Sequence, residues 1–225
     1  MIDYSNSESK WTKHTKMRFI SIIILVLLVS GCVSLRVPTA TTHFQTMTPQ
    51  QRALALAKIN QWQIEGALSI VQANQQPEIA NYQWQQLALQ NYHIVISSAL
   101  NLYRVVIDSH HNIVTLSKNG TFVASAKTPK QLMQKAMGWS LPISAMQYWI
   151  KGLPSPQKKF VAKYDGFGHL IFLQQSGWTL HYQAYQTQWT IDLPQMITLQ
   201  RPGLYAKVVI RRWGDSDSDG DKVRL

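Results

Sequence analysis

The sequence predicts a mainly β protein with a few helices, its strands forming one large antiparallel sheet curled into a barrel or half-barrel. Three observations carry this. From Trp62 onward apolar residues recur at every second position; turn-forming pairs such as Asn119-Gly120, Asp165-Gly166 and Pro202-Gly203 separate the runs; and two helical segments interrupt the series midway.

Ahead of the first strand the chain carries an address. Lys10, Lys13, Lys16 and Arg18 precede an apolar run from Phe19 to Val29, closed by Ser30-Gly31-Cys32. A basic stretch, a short apolar run and a small-residue site form the layout of a secretory signal peptide, and the run falls well short of the roughly 20 apolar residues of a membrane span. Val29-Ser30-Gly31-Cys32 fits a bacterial lipobox, in which the thiol is diacylated and the peptide before it is removed. Cys32 is the only cysteine of the 225 residues. It is therefore expected to be the lipidation site, with residues 1–31 a lipoprotein signal peptide that starts at Met1 or Met17, and the mature chain is anchored to a membrane rather than spanning it. Val33, where an inner-membrane lipoprotein commonly has aspartate, favours the outer membrane of a Gram-negative bacterium, the domain facing the periplasm.

Residues 32–47, rich in Thr and lacking apolar period, read as the lipidated cysteine and a flexible tether. Thr48-Pro49 is an N-cap and first-turn pair for a helix reaching about Gln61, with Leu54, Ala57, Ile59 and Trp62 on or near one side. The period then switches to two at Trp62, Ile64, Gly66, Leu68 and Ile70, and strand-like runs follow at 79–86, 91–98, 102–108, 112–118 and 121–126. Asn119-Gly120 between the last two is a strong hairpin signal. Thr128-Pro129 opens a helix with Leu132, Met133, Ala136 and Met137 apolar, stopped at Gly138; Pro142 opens another that ends at Gly152. Strand-like runs resume at 158–164, 168–175, 177–185, 188–192, 195–201 and 204–213, giving about eleven or twelve strands in a domain over 48–213. Helices with an unpartnered apolar face are natural covers for the open side of a curled sheet. Strand residues such as Tyr82, Trp84, Tyr92, Ile94, Ile96, Trp178, Leu180 and Tyr182 line either a solid core or an apolar cavity, and periodicity does not separate the two.

The chemistry search excludes more than it finds. The chain has no Gly-x-Ser-x-Gly elbow, no Walker loop, no dinucleotide fingerprint and no His-Glu-x-x-His helix, so no catalytic residue, metal ligand or cofactor is assigned and an enzyme is not expected. His110 and His111 lie between two strand runs, where a solvated turn is the simpler reading. Residues 214–225 form an acidic tail, expected to be disordered: Asp215, Asp217, Asp219 and Gly220 copy the start of a calcium loop, but the position of its closing glutamate falls past Leu225. The net charge is +11 and stays strongly positive once residues 1–31 are removed; for an exported protein that favours an acidic partner or membrane surface over nucleic acid.

From Leu141 to Pro154 the chain reads Leu-Pro-Ile-Ser-Ala-Met-Gln-Tyr-Trp-Ile-Lys-Gly-Leu-Pro. This resembles the Pro-x-x-x-Leu-x-x-Trp-Ile-x-Gly-x-Pro segment of the LolB family of outer-membrane lipoprotein receptors. Further elements agree in order: Trp62-Gln-Ile-Glu-Gly66, Trp84, Gln175-Ser-Gly-Trp178 followed by Tyr182 and Tyr185, Leu193-Pro194 and Trp213. The resemblance covers roughly 48–213. It implies an unclosed antiparallel half-barrel with a helical lid over an apolar cavity that holds acyl chains, similar to the periplasmic carrier LolA. It also implies the partners: LolA, acylated lipoprotein cargo and, through the acyl anchor, outer-membrane lipid, with the receptor a monomer. On this resemblance Trp84, Ile94, Ile96, Leu132, Met133, Met146, Trp149 and Trp178 are candidates for the cavity or its lid. The family's membrane-insertion loop, commonly Pro-Leu-Gly, corresponds to Ser97-Ser98-Ala99-Leu100-Asn101 and makes Leu100 the inserting residue, with Ala99 and Asn101 departing from the pattern. The residues alone leave two alternatives open: an envelope lipoprotein that binds another hydrophobic ligand in its barrel, and a structural surface lipoprotein.

Overall fold

The structure is a computed structural model and describes residues 44–98, 100 and 102–215. Cys32, the signal segment, most of the tether and the tail beyond Asp215 lie outside the described residues.

Helix α1 (Pro49–Ala57) opens on a reciprocal cap: the Thr48 hydroxyl accepts from the Gln51 amide at 3.2 Å, and the Gln51 side chain accepts from the Thr48 amide at 3.0 Å. It stops at Ala57 rather than near Gln61. Its inner face also differs from expectation, since Leu54 is 70% exposed and Ala57 is exposed, while Leu56 and Arg52 are buried. The reason is electrostatic. Arg52 finds an acceptor inside the fold, which turns the helix so that a charged residue takes a position that an apolar reading gives to leucine.

The strands follow in chain order: β1 (Trp62–Gln72), β2 (Glu78–Ala88), β3 (Asn91–Ser98), β4 (Arg104–His110), β5 (Ile113–Lys118) and β6 (Thr121–Ala126); then helices α2 (Pro129–Met137) and α3 (Ile143–Trp149); then β7 (Phe160–Tyr164), β8 (Leu170–Gln175), β9 (Trp178–Gln188), β10 (Ile191–Arg201) and β11 (Leu204–Gly214). All eleven join one antiparallel sheet in the order β6-β5-β4-β3-β2-β1-β11-β10-β9-β8-β7. The two chain-terminal strands thus meet at the centre, and β6 and β7 are left as free edges. Nearest-neighbour hairpins build each half because the connections are short, and only β1 against β11 is a long-range pairing. The runs at 188–192 and 195–201 are one strand, β10. Its register slips between Pro194 and Ile197, at a proline that has no amide to offer the ladder and so reads locally as a break.

Local chemistry explains the turns. Asn119 and Gly120 take φ of 50° and 79° between Lys118 and Thr121, a two-residue hairpin that needs left-handed backbone at both positions. His111 and Asn112, at 48° and 62°, turn β4 into β5 in the same way, so the adjacent histidines stand on a solvated turn. Helix α2 ends at Gly138, whose φ of 75° closes it in the left-handed cap that the sequence signals.

The alternation of β1 sends Trp62, Ile64, Leu68 and Ile70 to the apolar face of the sheet, and every neighbouring strand contributes a matching row. Helices α2 and α3 lie on that face and supply Leu132, Met133, Ile143, Met146 and Trp149 to the same core. At the central seam the β1–β11 register shifts between Glu65 and Gly66, and a Cβ on Gly66 would stand 1.8 Å from the Val209 carbonyl oxygen. Only glycine permits this approach. Gly66→Ala is therefore expected to destabilise the fold by at least about 3 kcal/mol, the scale of backbone displacement in a packed sheet, measured as the shift in urea midpoint at constant slope.

Candidate functional site

The apolar face and its helical cover meet around a small apolar space of about 30 Å³. The sheet side is Leu68, Tyr82, Trp84, Ile94, Ile96 and Val208, and the cover side is Met133, Leu141, Ile143, Met146 and Ile150. A water molecule needs roughly 10–15 Å³ of such space, so the cover fills the interior almost completely. Two of the five filling side chains are methionines, whose flexible thioethers adapt to irregular shapes. At one end of this face Trp62 packs against Trp84 and Trp213, with ring centroids 5.2 and 5.8 Å apart. Burial pushes the Tyr82 hydroxyl well above its ordinary pKa, and it donates to the Val209 carbonyl through the gap beside Gly66.

The cover is fastened unequally at its two ends. At the C-terminal end of α3, the buried Gln175 side chain makes four bonds: it accepts from the Trp149 indole and the Ser155 amide, both at 2.8 Å, and donates to the Ser155 and Lys158 carbonyls. Tyr182 donates to the Trp149 carbonyl at 2.9 Å. Lys151, 5% exposed, donates to the Ile59 carbonyl at 2.7 Å and to the Leu56 carbonyl at 3.4 Å, the latter also accepting from the Ile59 amide. At the α2 end the Trp139 indole donates to the Glu78 carboxylate on the sheet at 3.2 Å. Apolar packing does the rest there.

A second polar network seats the N-terminal segment. The Arg52 guanidinium donates to the Gln45 and Phe167 carbonyls and to Asp192, at 2.7, 3.0 and 3.2 Å. His169 lies between Asp165 and Asp192, 2.9 Å and 3.0 Å from its two ring nitrogens, and stacks on Tyr185 at 4.2 Å. Burial alone would raise the Asp192 carboxyl, but hydrogen bonds from Thr187 and His169 and the charge of Arg52 outweigh it and hold the pKa below the usual carboxylate value. Sequence reasoning missed this network, and the available signal was an arginine directly ahead of the apolar run Ala53–Ala57.

Of the eight cavity or lid candidates, Trp84, Ile94, Ile96, Met133 and Met146 are brought together around this apolar space. Leu132 is buried beside them without lining it, and Trp149 and Trp178 pack 6.4 Å apart in the other half of the sheet, around Gln175. Trp178 also carries the Arg201 guanidinium on its ring, 4.8 Å from the centroid. Leu68, Leu141, Ile143, Ile150 and Val208 line the space without having been singled out. Leu100 projects from the β3–β4 connection at 79% exposure, and Leu102, not singled out either, is 77% exposed. Among the described residues no cluster of His, Cys, Asp or Glu is suited to a metal ion, and no helix is long and apolar enough to cross a membrane.

An open antiparallel sheet with a helical cover packed on one apolar face defines a lidded half-barrel, and comparison with known proteins narrows the class. The family model described as outer membrane lipoprotein LolB matches residues 60–213. The outer-membrane lipoprotein LolB of Coxiella burnetii is 40% identical over 211 residues, covering 93% of this chain and 98% of that protein. The protein of the same name from Chromohalobacter salexigens is 31% identical over 191 residues, covering 85% and 87%. In fold alone, a DUF1329 family protein from Desulfovibrio piger matches 76% of this chain and 92% of its own at a TM-score of 0.50 and 8% identity. The chain belongs to the LolB family of outer-membrane lipoproteins.

The buried lysine under the α3 end gives a measurable signature. Burial lowers the Lys151 pKa to about 8. Between pH 8 and 9.5 the unfolded chain therefore holds a proton that the folded chain sheds, and stability rises with pH across that window by about 1–2 kcal/mol. Above pH 10 the trend reverses, because burial keeps the Tyr82, Tyr182 and Tyr185 hydroxyls protonated in the folded state only. Urea titrations at pH 8 and 9.5 should show the rise in the parent and a flattened profile in Lys151→Met.

Proposed function

We propose that this chain is an outer-membrane receptor that accepts acylated lipoproteins from the periplasmic carrier LolA and delivers them into the outer membrane, holding their acyl chains under the α2–α3 lid. In this reading residues 1–31 are removed, Cys32 is lipidated, 32–47 form the tether, 48–213 the receptor domain and 214–225 an acidic tail. The observation that carries it is an interior filled by movable apolar side chains: about 30 Å³ of free space beneath a cover whose α2 end is held mainly by packing. Acyl chains enter as Met133, Leu141, Ile143 and Met146 withdraw, and the bonds around Gln175 and Lys151 keep residues 149–155 in place as the hinge. Each buried methylene is worth about 0.8 kcal/mol. Uptake and release then need a graded series of affinities and no covalent step.

Delivery is assigned to the β3–β4 connection. Leu100 at 79% exposure contributes little to the folded core, so a change there acts on whatever the loop touches outside.

The test is transfer of a fluorescent triacylated lipoprotein from loaded LolA to this chain carrying Cys32→Ala, followed by delivery to liposomes. The parent is expected to strip the carrier, and retention of the cargo on LolA overturns the receptor reading. Leu100→Glu should leave uptake intact and cut delivery at least tenfold; loss of uptake overturns the loop assignment. Trp139→Phe removes the bond to Glu78, worth about 1 kcal/mol at a partly exposed site, so stopped-flow uptake should accelerate about fivefold. An unchanged rate rejects α2 as the moving end.

A further inference from the structure

The face of the sheet turned away from the lid carries a feature that the acyl site does not use. A groove of about 540 Å³ crosses it, its walls including Glu65, Asn81, Ser97, Arg104 and Arg211. The strand register explains its line. Arg104 stands opposite Ser97, and Ser97 opposite Asn81, so one outward row runs across three strands toward the irregular β1–β11 seam, where Arg211 enters from β11. Gly66 and the buried Val95 also line the groove.

Its charge is one-sided. Glu65 is taken up by Arg212 at 2.7 Å. The ion pairs among the described residues include neither Arg104 nor Arg211. Arg211 only grazes the Asn81 carbonyl at 3.4 Å, longer than a good hydrogen bond. Arg104 is held through its backbone instead, its amide donating to the Asn119 side chain and its carbonyl accepting from the Asn119 amide, both at 2.8 Å. Two arginines thus line a groove that also holds hydroxyl and amide side chains, and its one lining carboxylate, Glu65, is paired with Arg212. That is the donor set for a phosphate.

What lies next to it identifies the source of that phosphate. Arg104 begins β4 two residues after Leu102, and the β3–β4 connection presents Leu100 and Leu102 at 79% and 77% exposure; Ile79, on the outward face of the adjacent strand, is 62% exposed. Exposed aliphatics at one sheet end with arginines one step behind them match the layering of a membrane interface, where side chains enter the acyl region and guanidinium groups sit at headgroup depth. We propose that the Arg104–Arg211 groove is a seat for the phosphate of an anionic phospholipid headgroup, and that Leu102 and Ile79 enter the bilayer beside Leu100. The seat rests on the reading of the β3–β4 connection as a membrane contact. It adds a lipid preference and a fixed orientation, with the β3–β4 end of the sheet against the bilayer.

Vesicle co-sedimentation of the chain carrying Cys32→Ala, which removes the acyl anchor, tests both parts separately. Vesicles of phosphatidylcholine alone are compared with vesicles containing phosphatidylglycerol. Arg104→Gln with Arg211→Gln should lower binding to the phosphatidylglycerol vesicles about twenty-five-fold, about fivefold for each arginine removed from an anionic surface, and leave phosphatidylcholine binding unchanged. Arg104→Lys with Arg211→Lys should recover most of the loss, which separates charge from folding. Leu100→Glu with Leu102→Glu should weaken binding to both vesicle types. Unchanged phosphatidylglycerol binding in the double glutamine variant overturns the seat. An equal loss in Lys130→Gln with Lys135→Gln, exposed positions on α2, does so too, by showing that overall charge is responsible. If the leucine pair has no effect, entry of the β3–β4 connection into the bilayer is overturned, and with it the assignment of the phosphate to a lipid headgroup.

Discussion

Among the described residues a single open sheet of eleven strands presents one continuous apolar face with no second sheet opposite it, and the helices are arranged around covering that face. A closed barrel would bury it by wrapping and a sandwich by doubling. Here the cover is a short helical insertion between β6 and β7, the two strands that form the free edges. The connection between the halves of the sheet and the cover of its interior are therefore the same piece of chain. That economy makes the attachment of the insertion the main structural variable of the fold.

The attachment divides by chemistry. Near residues 149–155 the groups are polar, buried and mutually satisfied, with Gln175 using both its oxygen and its nitrogen on partners from the insertion. Such contacts are directional and costly to leave half-made. Around Met133, Leu141, Ile143 and Met146 the contacts are apolar and interchangeable, so one apolar surface substitutes for another at little loss. A fixed end and an exchangeable end on one insertion follow directly from where the polar side chains fall.

The sequence made the periodic part of this legible. Alternation located the strands, Asn119-Gly120 and Gly138 marked their turn and cap, and the predicted helices of the insertion lie within a residue or two of α2 and α3 because all these signals are local. Errors arose where a distant partner decides a local question. Leu54 and Leu56 are equally good apolar residues until Asp192, far along the chain, draws Arg52 inward and selects Leu56. Pro194 reads as a strand end although β9 pairs with β10 on both sides of it. Core and cavity share one period, and free volume is a property of the whole packing, so alternation is silent on it. The residues that carry the family resemblance, Trp62, Trp84, Trp149, Gln175, Tyr182 and Trp213, look unrelated along the chain. In space they form the aromatic cluster at one end of the apolar face and the clasp of α3.

The nearly absent free volume beneath the cover has a thermodynamic meaning. In the proposed role, Met133, Leu141, Ile143 and Met146 already occupy the place of an acyl chain, which makes the insertion a ligand tethered to its own binding site. Incoming lipid does not fill a void but competes with that resident, and its apparent affinity is the intrinsic affinity reduced by the fraction of molecules with the resident displaced. Substitutions in α2 that never touch cargo thus reset how tightly cargo is held, and the chain can tune retention against release by editing the competitor while leaving the sheet unchanged.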